Sequence, residues 1–86
     1  MREICRKALE HYGAQSQTMM CFEEMAELAK ELCKNARGED NRRFIAEEIA
    51  DVEIMLEQMK QLHDCRELVE QQKARKLRRL KERLEC

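Results

Sequence analysis

Nothing in this chain interrupts a helix for long. Among 86 residues there is no proline, and Gly13 and Gly38 are the two glycines. Ala, Leu, Met, Glu, Lys, Arg and Gln dominate the rest, and these side chains lose little freedom in a helix. The expected fold is all-α, in a single domain spanning residues 1–86. Such a short chain buries a limited core, and Tyr12, Phe22 and Phe44 are its only aromatics. The expected architecture is therefore a helical hairpin with flanking helices that completes a four-helix-bundle core on oligomerisation, as a homodimer or homotetramer.

Four helices are predicted. The first covers Arg2 to Tyr12, with Ile4, Cys5, Ala8, Leu9 and Tyr12 on one side and Gly13 as its C-terminal cap. The second starts near Ser16 or Gln17 and ends near Ala36, with Cys21, Met25, Leu28 and Leu32 as its seam. Gly38 closes it within the turn-like Arg37-Gly38-Glu39-Asp40-Asn41. Asp40 or Asn41 is expected to cap the third, which runs to about His63 on a seam of Ile45, Ile49, Val52, Leu56 and Met59. Asp64 and Glu67 have the spacing of a capping box, predicting the start of a fourth helix with a narrow stripe of Leu77, Leu80 and Leu84. No internal repeat, linker or low-complexity segment is expected.

Charge and cysteine usage narrow the function classes. The formal net charge is −1, so no overall field draws the chain to nucleic acid or to an anionic membrane. Between Lys73 and Arg83, however, seven of eleven residues are Lys or Arg, while acids predominate from Phe22 to Asp64. The five cysteines (5, 21, 33, 65 and 86) include no CxxC pair, and both His11 and His63 lie far from a suitable partner, so a zinc site is not expected. Met1 leads directly into charged residues and no apolar run approaches a membrane span, which together predict a cytoplasmic protein with reduced thiols. Cys21 and Cys33 fall in apolar rows as small core residues.

Acids occupy places that a bundle core would fill with apolar residues. Beside one seam runs Met20, Glu24, Glu27, Glu31; beside the other runs Phe44, Glu48, Asp51, Met55, Leu62. Glu24 and Glu27, like Glu48 and Asp51, are three apart and project from one helix face. In an antiparallel hairpin the four carboxylates converge, and their mutual repulsion calls for a hard divalent cation. Oxygen-only donors favour Mg²⁺, or Mn²⁺ in its place, over zinc. With 18 acids in the chain, roughly four such pairs arise by chance, so either alone means little. Surface ion pairs with Lys30, Lys34 or Arg43 explain the acids equally well.

The segment Glu23-Glu24-Met25-Ala26-Glu27-Leu28, followed by Glu47-Glu48-Ile49-Ala50-Asp51-Val52, resembles the paired signature of the MazG-like all-α nucleoside triphosphate pyrophosphohydrolases. That signature is EExxE, a variable spacer and ExxD. Twenty residues separate Glu27 from Glu48, which suits the spacer, and Gln17 matches a glutamine often found ahead of the motif. The resemblance holds from Gln17 to about Asp64. It implies Mg²⁺-dependent hydrolysis of an NTP or dNTP to the monophosphate and pyrophosphate, with Glu24, Glu27, Glu48 and Asp51 as metal ligands. Glu23 and Glu27 become the candidates for taking a proton from the attacking water, and Gln17 for contacting base or sugar. The family's trailing basic segment is matched by Lys76, Arg79 and Arg83, which share one helical face and are candidates for holding phosphates. Leu80 stands near the place of the family's asparagine, a departure that touches nucleotide recognition more than metal binding.

Two other classes stay open. A non-catalytic helical adaptor would keep the bundle and lose the metal. A nucleic-acid-binding protein would use the basic terminal helix, against which stand the net charge of −1 and the absence of aromatics among its basic residues.

Overall fold

A computed structural model describes residues 1–85 as four helices: α1 (Arg2–Tyr12), α2 (Ala14–Ala36), α3 (Arg42–Leu62) and α4 (Arg66–Glu85). There are no strands among the described residues. The chain is all-α as its composition requires, and α1 has the predicted ends.

The breaks between helices differ in part from expectation. Gly13 alone separates α1 from α2, at φ 91 and ψ 158, so α2 begins at Ala14 rather than at Ser16 or Gln17. No atom lies within 4 Å of where a Cβ would sit, so the requirement for glycine there is one of backbone conformation and not of space. Gly38, at φ 99, ends α2 with the Glu39 amide reaching back to Lys34 O at 3.2 Å. The α3 exit repeats that device without a glycine. Asp64 adopts φ 47, and the Cys65 amide donates to Lys60 O at 3.1 Å. Asp64 therefore finishes α3 and is not the capping-box residue that opens α4, which starts at Arg66. The short polar side chain of aspartate tolerates the left-handed conformation better than most, which makes the position available to it.

α2 and α3 form the antiparallel hairpin. Gln17 pairs with Gln58 at one end and Glu31 with Asn41 at the other, which fixes the register. Asn41 stands at the head of α3, as expected, but its side chain makes no cap there. Its amide donates instead to Glu31 O at 2.8 Å and Glu31 Oε1 at 3.0 Å, tying the start of α3 to the end of α2. α1 packs across the C-terminal half of α3, where the Cys5 thiol points at Ile54 O and Gln61 Nε2 donates to Arg2 O at 2.9 Å.

The interior is small and half polar. Cys5, Cys21 and Met55 are its buried apolar residues, beside buried Gln17, Glu31, Asn41, Glu57 and Gln58. Each predicted seam splits lengthwise. Cys21, Leu28, Ile45, Val52 and Met59 turn inward, whereas Met25, Leu32, Ile49 and Leu56 stay 42%, 49%, 41% and 43% exposed. Ile4 and Tyr12 of α1 are also exposed, and Cys33 lies on the surface rather than in the core. α4 packs on α3 alone and buries none of its residues. The Cα radius of gyration is 15.7 Å, against about 12 Å for a compact domain of this length. The accessible surface is 6963 Å², against about 5,400 Å² for a compact monomer of this mass.

Candidate metal centre on the hairpin

The site is assembled by two rows of helical spacing. Glu24 lies on the side of α2 that meets α3, between Gln17 and Cys21 on one hand and Leu28 and Glu31 on the other. Glu48 and Asp51 lie on the facing side of α3, between Ile45 and Met55. One carboxylate oxygen from each of Glu24, Glu48 and Asp51 lies within 4.8 Å of the other two. The predicted convergence thus holds for three of the four acids. Glu27 is exposed and stands outside the trio, although its charge acts on both Glu24 and Glu48.

Nothing basic neutralises this cluster. Lys34 pairs with Glu31 at 3.3 Å and Arg43 with Glu47 at 3.6 Å. No ion pair reaches Glu24, Glu27, Glu48 or Asp51 among the described residues. Surface pairing with lysine or arginine therefore does not account for these acids. Desolvation pushes the Glu24 carboxyl above its ordinary range, and the hydrogen bond with Asp51 and the charges of Asp51, Glu48 and Glu27 push it further. Glu48 is pushed the same way by desolvation and by the charges of Asp51 and Glu27, against a hydrogen bond from Glu24 that favours its ionised form. Glu48 Oε2 is buried and has no hydrogen-bond partner. A buried carboxylate oxygen without a donor is costly, and a cation removes that cost.

The other candidates are placed as follows. Glu23 is exposed on α2, one residue from the cluster. Gln17 is buried in the hairpin and donates its amide to Gln58 Oε1 at 2.7 Å, so within the chain it serves the helix contact. Lys76, Arg79 and Arg83 are exposed on α4, which packs on α3 and not on α2, and the fold does not bring them to the acids within one chain. Concavities are present at the α3 start around Arg42 and Arg43 and between Glu53, Leu56, Lys60 and Lys73. Of the three acids, Glu24 and Glu48 are half-buried and Asp51 is exposed.

One internal repeat is present where none was expected. Glu-Glu-Met-Ala-Glu-Leu at 23–28 recurs as Glu-Glu-Ile-Ala-Asp-Val at 47–52, an offset of 24 residues. In the antiparallel hairpin, positions 24 apart have matching burial (Gln17 and Asn41, Glu24 and Glu48, Leu28 and Val52, Glu31 and Met55), the pattern of an approximate local two-fold across the pair. Glu24 then corresponds to Glu48, Glu27 to Asp51, Gln17 to Asn41, Met25 to Ile49 and Leu32 to Leu56. The two-fold keeps equivalent residues on the same side of the hairpin, so Met25, Leu32, Ile49 and Leu56 form one apolar flank. Glu27 and Asp51 lie on the opposite flank.

A second carboxylate centre sits at the other end of α3. Glu57, with its side chain 4% exposed, is held in a fork by the Arg66 guanidinium, with Nη1 at 2.9 Å from Oε1 and Nη2 on Oε2. Gln61 Nε2 adds a third bond to Oε2 at 2.8 Å. Hydrogen bonding from Arg66 and then from Gln61 holds this carboxyl down to about 2. Arg66 is the first residue of α4, so this pair fixes the root of that helix on α3.

Comparison of the chain with family models, curated proteins and solved structures returned no match.

Proposed function

We propose that the chain is a Mg²⁺-dependent nucleotide pyrophosphohydrolase, splitting an NTP or dNTP into the monophosphate and pyrophosphate in the manner of the MazG-like enzymes that its acidic motifs resemble. The observation that carries this reading is the meeting of Glu24, Glu48 and Asp51 within 4.8 Å, with Glu48 Oε2 buried and unpartnered. The donor set is all oxygen and lacks any basic neighbour, which fits a hard divalent cation. Glu24, Glu48 and Asp51 would hold Mg²⁺ or Mn²⁺, with Glu27 beside them, and the ion supplies charge compensation for phosphate oxygens. Glu23 and Glu27, both exposed next to the cluster, are the side chains free to take a proton from an attacking water.

The oligomer belongs to the same proposal. The apolar flank of Met25, Leu32, Ile49 and Leu56 would pack on the same flank of a second copy, completing a four-helix core in a homodimer or homotetramer. Its support is the exposure of those residues and an accessible surface that exceeds the compact value by about 1,600 Å², more than one partner's share of a standard interface. Among the described residues no helix is long and apolar enough to cross a membrane, and a cytoplasmic location is proposed with the enzyme. A non-catalytic helical adaptor is the second reading, favoured by the distance of the basic row on α4 from the acids.

The test is pyrophosphate release from a panel of standard and modified nucleoside triphosphates, with Mg²⁺ and with EDTA, for wild type and Glu48→Gln. Metal-dependent release that the variant loses supports the enzyme. Release by neither protein, on any nucleotide, leaves the adaptor.

A further inference from the structure

α4 is a helix with no partner along most of its length. It is rooted on α3 through the Arg66–Glu57 fork and touches no other helix. Its leucines Leu77, Leu80 and Leu84 are 62%, 48% and 79% exposed on one stripe. Most helical stability in proteins comes from packing of an amphipathic face, and none of the 20 residues of α4 is buried. Around that stripe, residues 73–83 carry seven Lys or Arg against the single acid Glu82.

The opposite charge lies on the hairpin of the same chain. Residues 14–64 hold twelve acids against six Lys or Arg, and Glu23, Glu27, Glu47 and Asp51 are exposed. The exposed Met20 and Phe44, equivalent under the local two-fold, give this acidic flank an apolar component. The root of α4 is pinned so that the helix does not meet its own α2. We propose that α4 of one copy lies across the acidic flank of a second copy, with the leucine stripe near Met20 and Phe44 and the Lys76, Arg79, Arg83 row over the acids. Two copies exchange their arms reciprocally, as a two-fold interface requires. The near-balance of the two faces, which leaves the chain at a net charge of −1, favours a second copy over nucleic acid or an anionic membrane as the occupant. The absence of aromatics on α4 points the same way. The contact places three cations beside the acidic cluster of the neighbouring copy, where phosphate groups would meet them.

This inference rests on the oligomeric part of the proposed function and not on its chemistry. A protein that exchanges arms and releases no pyrophosphate keeps the inference and loses the enzyme.

The experiment mixes unlabelled and ¹⁵N-labelled full-length protein, lets the copies exchange, and treats them with a zero-length carbodiimide crosslinker before mass spectrometry. Mixed-isotope links from Lys76 or Lys81 to Glu23, Glu27 or Glu47 are expected. Links of those lysines confined to single copies, or a monodisperse monomer, would overturn the proposal. As a second arm, K76E/R79E/R83E is expected to weaken self-association at least tenfold and to pair with the E23K/E27K/E47K chain. Self-association untouched by the charge reversal would also overturn it, as would binding of the wild type to duplex DNA or anionic vesicles without self-association.

Discussion

Two carboxylates of α3, the buried Glu57 and the half-buried Glu48, solve the same problem in opposite ways. Glu57 is surrounded by donors, with a forked guanidinium and an amide satisfying both oxygens, and its charge is stabilised. Glu48, less than three turns earlier, faces Glu24 and Asp51 instead, keeps one oxygen without a donor, and has its ionisation opposed. Helical spacing alone does not separate the two. The neighbours do: a carboxylate whose bonds are complete within the chain holds the fold together, and one left incomplete is available to something outside it. By that criterion Glu57 fastens α4 to α3, and the Glu24, Glu48, Asp51 group is the one we propose to hold a cation.

Removing each centre should therefore move stability in opposite directions, and the largest effect is expected at the complete one. Glu57→Ala leaves the Arg66 guanidinium and the Gln61 amide without their acceptor, at a cost of about 2 kcal/mol in chemical denaturation. A loss near zero would mean that the fork is ornamental. Glu48→Leu removes an unpartnered oxygen and a like charge, so in EDTA its melting temperature should equal or exceed that of wild type. A marked fall would show that Glu48 is structural, as Glu57 is.

Titration sharpens the contrast. The Glu57 carboxyl is lowered from 4.5 to about 2 in the folded chain, so its contribution is complete above pH 4.5 and is lost as the pH falls from there toward 2. Glu24 and Glu48 are raised, so the folded state binds their protons more readily than the unfolded one, and stability declines as rising pH ionises them. Melting temperature in EDTA should therefore rise as the pH is lowered toward 4.5 and Glu24 and Glu48 take up protons, and then fall below 4.5, where the unfolded state binds the Glu57 proton that the folded state resists down to about 2. Glu48→Gln should flatten the first limb and leave the second. A single monotonic limb shared by both proteins would contradict the assignment.

The smallest effect concerns the two helix exits. Gly38 and Asp64 occupy equivalent left-handed positions, one without strain and one with it. Asp64→Gly should stabilise the chain by about 0.5 kcal/mol, the relief of strain outweighing the greater freedom of an unfolded glycine. Destabilisation would assign the aspartate side chain a role beyond backbone conformation.

How much of this is legible in the sequence follows from the same contacts. Helix content, the turns at Gly13 and Gly38, and the acids at 24, 48 and 51 are readable, because glycine and helical spacing are local properties. Which half of each seam turns inward is not. Met25 and Leu28 are equally apolar, and the hairpin register that covers Leu28 more fully depends on polar pairs, Gln17 with Gln58 and Glu31 with Asn41, that helical periodicity counts as surface. Asp64 misleads for a similar reason, since an aspartate before a helix reads as its cap until the preceding helix is seen to need a left-handed exit. The fork between Glu57 and Arg66 spans a helix end and leaves no periodic trace at all. The 24-residue offset between the acidic motifs is likewise a property of the sequence itself and is readable there.

The central claim is that Glu24, Glu48 and Asp51 form a divalent-cation site. It is tested most directly by titrating the metal-free protein with Mn²⁺ under electron paramagnetic resonance, and then with Mg²⁺ in competition, for wild type and Glu48→Gln. One saturable Mn²⁺ site per chain, displaced by Mg²⁺ and lost in the variant, is the predicted result. No saturable binding by wild type, or binding that survives Glu48→Gln unchanged, would contradict it.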